Sequence, residues 1–184
     1  MLLVFSATTT GFCQVLAKVG FTDAPTITGA SVGKAGIGMT TAQLKMLYAG
    51  CMFTPAYSTP YGFDAHTGKP DAVLVSAAGK KLFLYFGGAK VTGFIVLNPA
   101  YRTASGVHVG STSGQLKKAE PGVLVAMHEF VENMQIAVVG TEAPASPMYV
   151  FSGQRPMGKI KKSLEYSEIF VLTNKISWIV IKPN

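Results

Sequence analysis

Charge is scarce in this chain: Asp, Glu, Lys and Arg make up 14% of its 184 residues, and arginine occurs only as Arg102 and Arg155. Hydrophobic residues reach 48%, so the scarcity does not signal disorder, and there is apolar surface enough for a packed core. Histidine is limited to three and cysteine to two, a thin supply for a metal centre or a disulfide framework. No apolar run approaches the roughly 20 residues that a spanning helix requires, which excludes a transmembrane helix. The net charge is +7, but the lysines are scattered. Their one cluster, Lys159, Lys161 and Lys162, lacks interleaved aromatic residues, and on that ground no nucleic-acid partner is expected. Attraction to an anionic surface stays compatible with the basic balance.

What is present begins with a processing signal. Residues 1–10 are apolar or small, and Gly11 and Cys13 supply the small side chains that signal peptidase accepts three and one positions before a cut at Gln14. Residues 1–13 are therefore read as a signal peptide, truncated at its start because no Lys or Arg precedes Lys18. A lipoprotein acylated at Cys13 is the weaker alternative, opposed by bulky Phe12. Either way the expected location is periplasmic or secreted. Once Cys13 is removed, Cys51 stands alone and reads as a small buried apolar residue rather than a nucleophile.

Two segments match each other. Ile37 to Lys45 aligns with Val109 to Lys117, 72 residues on, with five of nine positions identical. Both copies carry a capping box, Thr40-x-x-Gln43 and Thr112-x-x-Gln115, in which the hydroxyl and the amide cap the first helical turn reciprocally. Leu44, Leu47, Tyr48 and Cys51 then form one apolar face, with Gly50 and Pro121-Gly122 as the stops. A second pair follows in the same order: the strand-like run from Lys90 to Pro99 resembles that from Lys175 to Pro183. Further strands are expected over 72–76, 81–86, 135–139, 148–152 and 169–173, with loops over 54–70 and 141–147. The expected fold class is α+β: two related halves, 26–100 and 101–184, each a helix followed by an antiparallel meander, packed as one unit.

Gly38-Met39-Thr40 with Gln43-Leu44 and the ensuing meander resembles the GMT-x-x-Q opening of small bacterial envelope proteins. These include the β-lactamase-inhibitor-protein fold and the small lipoprotein of the outer-membrane assembly machine. The run from Tyr101 to Thr112, placed after the Lys90–Val96 strand, is similar to a run in uncharacterised secreted bacterial proteins. The resemblance covers about residues 33 to 118 and implies a tandem-repeat fold. The inhibitor fold binds protein through its sheet face, but no inhibitory residue carries over to this sequence, so the implied function is binding by analogy of fold.

The motifs of catalysis are incomplete. His128-Glu129 opens like H-E-x-x-H, but Glu132 takes the place of the second imidazole. Ser31-x-x-Lys34 lacks the companion elements of penicillin-binding enzymes, the glycines from 29 to 38 miss the phosphate-loop spacing, and no G-x-S-x-G occurs. Asp64 and His66 are the one close mixed pair on a loop long enough to form a site. They carry the alternative reading, a small metal-dependent or hydrolytic enzyme. The favoured reading is a non-enzymatic module without cofactor or metal, which binds another envelope protein or an anionic envelope component. Its candidate contact residues are the aromatics Phe53, Tyr57, Tyr61, Phe63 and Tyr101, placed to line a patch where the long loop crosses the sheet.

Overall fold

The computed structural model describes residues 26–63, 68–128, 131–140, 147–158, 166–169 and 171–182. The expected processing signal at residues 1–13 lies outside them. Strand dominates, at 41% of the described residues, and this overturns the α+β expectation: the fold is β-rich. Among the described residues there are two α-helices, α1 (Thr41–Leu47) and α2 (Ser113–Ala119), of seven residues each. Each stops after two turns for a local reason. Gly50 and Gly122 take φ of +89° and +87°, a left-handed conformation that reverses the chain. Strand β4 (Met52–Ala56) follows the first reversal and β9 (Val123–Met127) the second.

The remaining strands form two sheets. The smaller has the order β3-β2-β1-β8, built from two-residue strands: β1 (Thr26–Ile27), β2 (Ser31–Val32), β3 (Ala35–Gly36) and β8 (Arg102–Thr103). The larger runs β12-β9-β10-β11-β13-β7-β6-β5-β4, with every neighbouring pair antiparallel. Its other members are β5 (Ala72–Ala77), β6 (Lys80–Phe86), β7 (Gly93–Val96), β10 (Met134–Val139), β11 (Met148–Ser152), β12 (Ser167–Glu168) and β13 (Trp178–Ile181). Among the described residues of the strand expected over 169–173, none is in a strand; β12 precedes them. At the middle of the sheet β13 pairs with β7, Val180 opposite Ile95. Gly93 permits that junction, since a Cβ there would lie 2.8 Å from the Ile181 carbonyl oxygen.

Alternation along the strands divides the core between two faces. Phe83, Tyr85, Phe94, Val96, Ile179 and Ile181 join the larger cluster, covered by Leu44 and Tyr48 from the first helical segment, Leu116 of α2, and Ile27 and Val32 of the small sheet. Leu84, Ile95, Val150, Trp178 and Val180 point the other way and form a second cluster. No helix among the described residues is long and apolar enough to cross a membrane.

The two helix starts are built alike. Thr40 Oγ1 accepts from Gln43 N at 3.2 Å while Thr40 N donates to Gln43 Oε1 at 2.9 Å. Thr112 and Gln115 repeat this at 3.1 and 2.8 Å. Gly38 N donates to Val91 O, and Gly110 N to Ile176 O, both at 2.8 Å. Thr40 and Thr112 also make single β-bridges with Lys90 and Lys175. Each cap thus staples a helix to the strand segment that leads into the centre of the sheet.

Candidate functional site

The second sheet face carries the most suggestive geometry, and it is built by the loop after β4. Ser58, fully buried, anchors that loop: its N–H donates to Asp71 Oδ1 at 2.8 Å and its hydroxyl to Asp71 Oδ2. A single 3₁₀ turn follows over Thr59–Tyr61, opened by Pro60. Gly62 then takes φ of +90°, and a Cβ there would press to 2.8 Å from Met134 Sδ and 3.0 Å from His128 Nε2. Only glycine combines that backbone with that approach.

The turn delivers two rings onto the sheet. Tyr61 stands edge-on to Trp178, with ring centres 5.4 Å apart at 86°. Phe63 tilts against Phe86 at 5.0 Å. Lys182, which follows β13, places Nζ 4.3 Å from the centre of the Phe63 ring, a cation–π contact. Phe63, Phe86, Thr92 and Lys182 wall an open slot of about 310 Å³ that is mostly apolar. That size is at the lower end of small-molecule pockets. Burial holds the Lys182 ammonium below its ordinary pKa, as expected of a charge brought against apolar rings. Trp178 Nε1 is buried and has no hydrogen-bond partner among the described residues.

The candidate aromatics are thus separated. Tyr61 and Phe63 share the slot's face. Phe53 sits on β4, an edge strand of the large sheet, half-buried with Lys45 Nζ 5.9 Å from its ring. Tyr57 is exposed and donates to Gly68 O at 3.4 Å. Tyr101 lies in the main core with 0% exposure, its ring 6.0 Å from Phe83. Its hydroxyl lies against that of Tyr48, whose own proton goes to Val32 O at 3.2 Å; burial pushes both phenols far up. Asp64 and His66 lie outside the described residues. His128 packs under Gly62, and His108 belongs to a different loop. Among the described residues no three His, Cys, Asp or Glu side chains gather as metal ligands. Cys51 is half-buried, and burial raises its thiol pKa.

Sequence reasoning missed Phe86, Thr92, Trp178 and Lys182. The available signal was the alternation Trp178, Val180, Lys182, which puts an indole and an ammonium on one face of one strand line.

No family model matches the chain, and no curated protein matches it. Among solved structures, it is similar to the uncharacterized protein yfeY from Escherichia coli, with 15% identity and a TM-score of 0.49, over 88% of this chain and 100% of that one.

Proposed function

We propose that this chain is an exported, non-enzymatic binding module whose ligand site is the slot on the second sheet face. The single observation that carries the reading is the pairing of Phe63 and Phe86 with the Lys182 ammonium at one mouth. Rings supply contact area for an apolar body, and the ammonium supplies one charge-assisted contact for an anionic end. The ligand class is therefore an amphipathic anion, chemistry found in anionic envelope components. Export is carried by the Gly11-Phe12-Cys13 pattern, and a mature chain starting at Gln14 is its mark. The same reading takes the two capped corners as copies of one segment, supported by their matching hydrogen bonds.

The chain contains one tryptophan, and it sits on the slot's face, so its emission is a direct reporter. Titration with octanoate, octanol and octyltrimethylammonium separates the contributions. Saturable change with octanoate, about tenfold weaker with octanol, is expected from loss of one charge-assisted contact. The cationic amphiphile binds weakest of the three. Indifference of Trp178 to all three, or preference for the cation, sinks the reading.

A further inference from the structure

The loop from Arg102 to Ser111 was singled out in the sequence, yet the slot makes no use of it. It folds into a second cleft of about 220 Å³, lined by Arg102, Ser105, Gly106, His108, Ser111 and Gln115, among others. The backbone of this loop is held from within. Val107 N donates to Thr103 Oγ1 at 3.0 Å, Thr103 N to Val107 O at 2.9 Å, and Ser111 N to His108 O at 2.9 Å. Gly106 turns the chain at φ of +83°.

The donors left over on this frame are the informative part. The Arg102 guanidinium is exposed, and among the described residues its one hydrogen bond is a long contact of 3.5 Å from Nη1 to Gly106 O. Gln115 spends its Oε1 on the cap at Thr112 N, which leaves its Nε2 amide protons for another acceptor. Ser111, 4% exposed, accepts from His108 N at 3.1 Å through its Oγ, so its hydroxyl proton remains to be given. His108 Nδ1 lies 2.7 Å from Val109 O and carries its proton there, so the neutral ring spends its N–H on the loop and is not one of the free donors. The acidic neighbour Glu120 is already engaged by the Ser105 hydroxyl.

We propose that this cleft binds a small oxyanion: the phosphate, sulfate or carboxylate group of a small molecule. An excess of N–H and O–H donors around one guanidinium matches an acceptor-only ligand with several oxygens. A neutral sugar is disfavoured because no aromatic ring lines the cleft as a stacking platform. The site is built from elements other than those of the slot, so it stands or falls independently of that reading.

The test is a ¹⁵N–¹H titration of the full chain with inorganic phosphate, glycerol 3-phosphate and acetate. Saturable shifts centred on Gly106, Ser111 and the Gln115 side-chain amide are expected. The ratio of the three affinities then shows whether a free ion, a phosphate monoester or a carboxylate is preferred. Arg102→Gln weakens binding about tenfold or more, the usual worth of a charge-assisted contact, and Ser111→Ala weakens it less. Because Arg102 is exposed and loosely tied, Arg102→Gln keeps the wild-type melting midpoint, and equal midpoints guard against misfolding. Absence of saturable shifts with all three anions, or unchanged affinity in Arg102→Gln, overturns the proposal.

Discussion

At the scale of single residues, Lys182 does more than any other to give the second face a chemical preference. Its ammonium is held 4.3 Å above the Phe63 ring and titrates below the ordinary lysine value of 10.5 because burial disfavours the charged form. The sign has two consequences. For folding, a depressed lysine pKa means that the unfolded chain binds more protons in the window between folded and unfolded values, so its penalty is present below that window and fades as pH rises through it. For ligand binding the direction is opposite: an anion needs the charged form. Octanoate affinity should therefore hold through neutral pH and fall as pH climbs, beginning below 10.5. Lys182→Met should flatten that profile and reduce octanoate to the affinity of octanol; calorimetric titration across pH checks both. A profile identical in wild type and Lys182→Met would show that the lysine is not the anion's partner.

At the scale of elements, the capped corners and the central strand junction organise the fold. Substituting a threonine cap by alanine removes one hydroxyl acceptor at a helix start, a loss of about 1 kcal/mol. Thr40→Ala and Thr112→Ala should each show that loss in urea unfolding, with similar magnitude, since the hydrogen bonds match to within about a tenth of an ångström. Markedly unequal losses would count against the corners being copies of one device. The same elements show what local sequence can reveal. A capping box is written in four consecutive residues, so both helix starts were legible. The turn at Ala78-Gly79, where both residues take positive φ, was likewise legible because it is a two-residue hairpin. Two-residue strands such as β1, β2, β3 and β8 have no period to detect, and they form a whole second sheet. Missing them, together with β4 and β9, is what made an α+β reading of a β-rich chain. The slot was half legible for the same reason. Tyr61 and Phe63 stand out in an aromatic loop, whereas Phe86 and Lys182 come together only through the non-local pairing of β7 with both β6 and β13.

At the scale of the whole molecule, the nine-stranded sheet has one face closed by helices and a small sheet, and another closed in part by the anchored loop that carries Tyr61 and Phe63. That asymmetry distinguishes the faces. The first face buries Leu44, Leu116 and the Tyr48–Phe83 pair, with ring centres 5.1 Å apart, and serves stability. The second keeps an open slot with an ammonium at its edge. Tyr101 illustrates the division: an aromatic residue that composition alone places among binding candidates is sealed in the first core, while Phe63, two residues beyond a tyrosine that pins the loop, faces the opening.

The central expectation is that an amphipathic anion seats its apolar body in this slot, beside the Lys182 ammonium. Its most direct measurement is a map of backbone and side-chain methyl and amide shifts in the isotopically labelled chain as octanoate is added. Saturating shifts at Phe63, Phe86, Thr92, Lys182 and the Trp178 indole, absent when acetate replaces octanoate, are the predicted result. Octanoate shifts at the Arg102–Gln115 cleft or along the β4 edge with none in the slot, or no saturable shifts at all, would contradict it.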